Sequence, residues 1–165
     1  MTMDARHWVS VAGVIFDDQQ RALLIQRSDN QHREAPGGVL ELHESIPAGL
    51  RREVREETGL SVEPEVLTGV YKNMACGIVA LIFRCKILGG QLATNGEVSA
   101  FQWATADEVR GLASEAYAIR VLDALDSGST AVRQYDGVHL VWKSATSRCP
   151  SGGDTNGAAI IDASV

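Results

Sequence analysis

Cysteine, lysine and long apolar runs are all scarce in this chain, and each shortage closes off a class of function. The three cysteines, Cys76, Cys85 and Cys149, form an odd set without CxxC spacing, so neither a disulfide framework nor a zinc site is expected. Cys76 and Cys85 lie in or beside strand-like segments and are expected to be core thiols. Only three lysines occur, the arginines are scattered, and the formal net charge is -6. Neutralising the phosphates of a nucleic acid needs clustered basic side chains, so no nucleic-acid partner is expected. No apolar stretch approaches the roughly 18 residues that a transmembrane helix requires, and the start, MTMDARHW, lacks the apolar centre of a secretory signal. A cytoplasmic protein without a membrane partner is the expectation.

What is present is ordinary for a globular protein. Hydrophobic residues make up 45% and charged residues 22% of 165 positions, outside the compositional range of disordered chains. That length supports one domain with a proper core and leaves no room for a second of usual size. The expected organisation is a domain over 1–143 followed by a C-terminal tail over 144–165, where SATSRCPSGGDTNG is small, polar and without periodicity.

Two apolar runs, 8–16 and 21–27, flank the turn signal DDQQ and predict a hairpin. REAPGG follows as a loop. Residues 45–58 predict a helix, with Ser45 as cap, Pro47 in the first turn and Gly59 as the stop. EVLTGVYKN, GIVALIFRCKI and VSAFQWA are strand-like, and Thr105 caps a short helix in ADEVRGL. Ala118, Val121, Leu122 and Leu125 form the apolar stripe of an amphipathic helix. AVRQY and VHLVW flank Asp136-Gly137, a strong hairpin signal. Mixed strands with two substantial helices give an α+β or layered α/β/α domain.

The segment 37–60 carries five acidic residues and three arginines. On a helix, Glu53, Glu56 and Glu57 project from an arc roughly 100° wide, where like charges repel by a few tenths of a kcal/mol per pair. Three convergent carboxylates make a hard-oxygen site suited to Mg²⁺ or Mn²⁺. A solvated acidic face crossed by Glu-Arg pairs is the alternative. Ile46, Leu50 and Val54 are expected to supply the helix's apolar contacts, which sets the acidic arc at the rim of a cleft.

A longer pattern bears on that choice. From Gly38 the chain reads five residues to Glu44, seven more to Arg52-Glu53-Val54, one to Glu56-Glu57 and one to Gly59-Leu60. This resembles the signature of the Nudix hydrolase family at every specified position, nine positions over 23 residues. The resemblance implies an α/β/α sandwich with a mixed β-sheet, a small-molecule nucleotide substrate, and metal-dependent hydrolysis of a nucleoside diphosphate linked to another moiety. It implies that Glu56 and Glu57 are the main metal ligands, that Glu53 is a further ligand or catalytic carboxylate, and that Gly37 offers its backbone carbonyl to Mg²⁺ or, as a substitute, Mn²⁺. Arg52 and Glu44 match a pair that braces loop against helix. The family often adds a downstream loop carboxylate, and Glu97 stands in a comparable place as ligand or second base.

Substrate choice is less legible. Arg27 and Arg33 are candidate phosphate contacts. Tyr71, Phe101 and Trp103 are expected in the core rather than on a base, and His32 and His43 as bystanders. A proline some fifteen residues after the box would resemble ADP-ribose hydrolases, but Ala75 occupies that position. A nucleoside triphosphate, a nucleotide sugar or an ADP-ribose type of substrate stays open, with a non-catalytic nucleotide sensor as the rival class. Nothing in the pattern sets the oligomeric state, and a homodimer is compatible with it.

Overall fold

A computed structural model describes residues 6–126 and 128–143. The expected tail over 144–165, including Cys149, lies outside the described residues. The chain runs β1 (Trp8–Ile15), β2 (Ala22–Arg27), β3 (Arg33–Glu34), β4 (Gly37–Val39), α1 (Ile46–Thr58), β5 (Leu60–Asn73), β6 (Ile78–Gly90), β7 (Val98–Ala104), α2 (Ala106–Leu112), α3 (Glu115–Leu125), β8 (Ala131–Tyr135) and β9 (Leu140–Lys143).

A six-stranded mixed sheet is ordered β4-β1-β6-β5-β8-β9, and a three-stranded sheet is ordered β3-β2-β7. β1 runs parallel to β6 and antiparallel to β4. The hairpin expected from 8–16 and 21–27 is corrected here: its turn forms, with a bridge between Phe16 and Ala22, but β1 and β2 then diverge into different sheets. The physical reason is pairing distant in the chain: β1 takes β4 and β6 as its neighbours, and β2 takes β3 and β7.

β1 shows how the layers are built. Val11 and Ile15 pack with Leu50 and Val54 of α1, whereas Ala12 and Val14 pack with Val109 of α2 and with Ala118 and Val121 of α3. Helices therefore cover opposite faces of the large sheet, and the result is the α/β/α sandwich. Leu50 and Val54 are fully buried, a gain of about 1.5–3 kcal/mol each. Ile46 is not part of that contact: it is 40% exposed in the first turn. Cys85 is a buried thiol, pushed up to about 12 by desolvation, but Cys76 is exposed in the turn between β5 and β6, so only one of the two is a core thiol.

The remaining elements follow their local signals. Ser45 Oγ accepts from Ala48 N–H, and Gly59 caps α1 at φ 80°, a left-handed angle that favours glycine. Thr105 and Glu108 form a reciprocal capping box on α2. REAPGG, expected as a loop, contributes β3 and part of β4, strands short enough that their sequence shows no alternation. Among the described residues no helix is long and apolar enough to cross a membrane.

Candidate active site

α1 and β4 build the site together. β1 and β4 bond at Gly13 N–H to Pro36 O and at Leu40 N–H to Val9 O, and antiparallel pairs alternate. Gly37 and Val39, opposite Ala12 and Ser10, therefore turn their backbone groups away from β1. Both meet α1: Gly37 N–H donates to Glu57 Oε2 at 2.7 Å, and Val39 O accepts from Arg52 Nη2 at 3.3 Å. The Gly37 carbonyl is left outside the β1 ladder. Gly38 supplies clearance, since a Cβ there would lie 2.4 Å from Glu53 Oε2. A side chain at this position would displace the carboxylate.

The three carboxylates of the arc differ in environment. Glu57 is 4% exposed. Desolvation, reinforced by Glu34 and Glu53 against the opposing Gly37 N–H and Arg27, pushes it up to about 7. Glu53 is half-buried and is also raised, chiefly by desolvation. Glu56 is exposed. The rim expected for the acidic face is thus a gradient, from open water at Glu56 to the interior at Glu57.

Arg52 ties the loop to the helix. Its Nη2 and Nε donate to Glu44 Oε1 and Oε2 at 2.7 and 3.0 Å, and its Nη1 donates to Glu53 at 2.8 Å and Glu56 at 3.1 Å. The guanidinium holds Glu44 down to about 2. Among the described residues no three carboxylates, thiolates or imidazoles already meet around one point. Arg52 instead supplies positive charge beside Glu53 and Glu56. The donor set itself is hard oxygen throughout and fits Mg²⁺ or Mn²⁺ in kind.

The other candidates separate. Arg27 lines the cleft beside Gly37 and Gly38, paired with Asp29 at 2.8 Å and Glu34 at 3.7 Å. Arg33 does not reach it: its guanidinium donates to the side-chain amides of Gln102 and Gln26, because β3 points that side chain across the small sheet. Glu97 is exposed. Its loop is nevertheless pinned to the end of α1, where Asn95 Nδ2 donates to Glu56 O at 2.8 Å.

Two cleft residues escape sequence reasoning. Glu34 is a half-buried carboxyl raised chiefly by desolvation, and nothing in REAPGG marks it as facing the cleft. Arg120 is 8% exposed on α3. An arginine beside an apolar stripe reads as solvent-facing, and the available signal was its position four residues from both Ala116 and Ala124, which are buried.

The NUDIX domain family model matches residues 6–124. A MutT-like protein of Streptomyces ambofaciens is 55% identical over 135 residues, covering 82% of this chain and 88% of that protein. The ADP-ribose pyrophosphatase of Methanocaldococcus jannaschii is 31% identical over 96 residues, 54% of this chain and 56% of the archaeal protein, so the match spans little more than half of that relative. In fold, the crystal structure of the MutT protein from Bacillus halodurans superposes with a TM-score of 0.65 at 23% identity, over 82% of this chain and 95% of that one. A family match over most of the described chain, together with a relative that aligns along nearly its whole length, makes this chain a member of the Nudix hydrolase family.

Proposed function

We propose that the chain hydrolyses the pyrophosphate linkage of a nucleoside diphosphate derivative, with Glu53, Glu56, Glu57 and the Gly37 carbonyl holding Mg²⁺, or Mn²⁺ in its place. Nudix hydrolases act on nucleoside diphosphate derivatives and generally need a divalent metal. The observation that carries the assignment to these residues is the buried Glu57 carboxylate. It faces the Gly37 amide in a setting with two further carboxylates on its own helix, where a lone buried acid would be costly. When bound, such a cation neutralises phosphate charge and acidifies an attacking water.

The chain's own residues do the rest. Glu53, raised by desolvation and held by Arg52, is suited to orient and deprotonate water at neutral pH. Glu97 is the second choice for that role. Arg52 and Glu44 keep α1 and the loop before it in register, and their bidentate pair acts by positioning. Arg27 faces the cleft where the phosphates would lie.

The substrate is a nucleoside triphosphate, a nucleotide sugar or, as with the archaeal relative named an ADP-ribose pyrophosphatase, ADP-ribose. Ala75 speaks against the last. The test is incubation with Mg²⁺ and then Mn²⁺ against that panel, with products identified by mass. Metal-dependent release of a nucleoside monophosphate supports the assignment; binding of a panel member without cleavage overturns it.

A further inference from the structure

The loop between β6 and β7 closes the C-terminal end of α1. A helix leaves its last carbonyls without partners inside itself, and in α1 these belong to Arg55, Glu56, Glu57 and Thr58. Gly59 N–H donates to Arg55 O at 2.9 Å. The loop serves the other three: Asn95 Nδ2 donates to Glu56 O at 2.8 Å and to Glu57 O at 3.5 Å, and Ala93 N–H donates to Thr58 O at 3.0 Å. Glu56 and Glu57 therefore give their backbone to this loop and their side chains to the acidic arc.

The same loop fixes the backbone of Glu97 on both sides. Glu97 N–H donates to Asn95 Oδ1 at 2.8 Å, as Val98 N–H does at 2.9 Å, and Glu97 O accepts from Ser28 N–H at 2.8 Å. Just beyond, β7 carries one extra residue, Ser99, between the partners of Gln26 and Arg27, and Ser99 Oγ donates to Gln26 O at 3.3 Å. Bulges of this kind re-aim a neighbouring side chain. Residues 91–97 are all exposed, and exposed connections are ordinarily the loosest part of a fold. Burial gives no reason to bond an exposed glutamate's backbone on both sides, whereas a requirement on where its side chain points does.

We propose that Asn95 is a positioning residue for the reaction: its side-chain amide locks Glu97 to the turn of α1 that carries Glu56 and Glu57, so that the Glu97 carboxylate serves the same cation. Both ends of the amide are spent on this junction, the nitrogen on the helix and the oxygen on the loop. Aspartate at this position keeps the acceptor and loses the donor, and alanine loses both. The inference rests on the metal-platform reading above and adds what holds a carboxylate outside α1 in register with it.

Mn²⁺ binding by the full chain, read from the free-ion paramagnetic signal, tests this separately from hydrolysis. Glu97→Gln and Asn95→Ala are each expected to weaken binding about tenfold, the scale on which orienting partners act, and the double variant is expected to bind no worse than either single one. An Asn95 that only stabilises the helix end would lower the melting temperature, and any loss of binding would multiply with that of Glu97→Gln. If Asn95→Ala melts far below the wild type, Asn95→Asp is read in its place within the same cycle. Wild-type affinity in Glu97→Gln or in the Asn95 variant, losses that multiply in the double variant, or no Mn²⁺ bound by the wild type each overturns the inference. A chain that shows the coupled loss yet cleaves no nucleotide overturns the hydrolase reading alone.

Discussion

Replacing Glu57 by Gln removes a charge from a 4% exposed site while keeping an oxygen for the Gly37 N–H. The folded carboxyl is pushed from its usual 4.5 to about 7, first by desolvation. A raised acid makes the folded state bind more protons than the unfolded state, so its stabilising contribution is complete below pH 4.5 and is lost as pH rises through 7. A shift of that size corresponds to about 3 kcal/mol. Gln carries none of this dependence. Its two buried N–H groups add a cost of about 1–3 kcal/mol, which is independent of pH and sets the offset between the proteins without changing the slope. Urea unfolding in EDTA at about pH 5 and about pH 8, with m near 1–3 kcal/mol/M, turns the swing into a midpoint change of roughly 1–3 M in favour of the variant. A Gln-minus-wild-type difference that stays constant across this range would refute the argument that burial holds Glu57 protonated.

The other consequences concern the residues around it. Arg52→Ala releases Glu44, Glu53 and Glu56 together and should lower kcat/KM about 10–100-fold, as loss of an orienting partner does; steady-state kinetics with a thermal melt separates this from unfolding. Gly38→Ala puts a Cβ 2.4 Å from Glu53 Oε2, whose flexible end can yield, so kcat should fall about tenfold or more with little change in melting temperature. Arg27→Ala should raise KM several-fold, whereas Arg33→Ala, bonded to Gln102 and Gln26, should leave it unchanged. Equal KM effects of the two would contradict the placement of Arg33 away from the cleft.

Local signals in the sequence carried far because they are chemical. Ser45, Pro47 and Gly59 bound α1 through a side-chain acceptor, a missing N–H and a left-handed angle, each a property of one residue. The spacing of Glu53, Glu56 and Glu57 likewise places them on one arc whatever the tertiary structure. What stayed hidden depends on partners distant in the chain. β1 and β2 read as a hairpin because their turn is local, while the sheet each joins is decided by pairing with β6 and β7. Ile46 fits the apolar stripe of α1 but stands at its first position, where it is 40% exposed. Arg120 is buried only because Tyr71, Tyr117 and Tyr135, drawn from β5, α3 and β8, close around it. Arg52 pairs with Glu53 and Glu56, which bears out the ion-pair reading of part of the acidic arc, and the cation platform proposed above would draw on the same carboxylates.

Direct cation binding tests the central claim most closely. Titrating the metal-free chain with Mn²⁺ and following the free-ion signal by electron paramagnetic resonance should show at least about one ion bound per chain in the wild type, with marked loss of binding in Glu57→Gln. Binding in the variant equal to that of the wild type, or none in either, would contradict a metal platform built on Glu57.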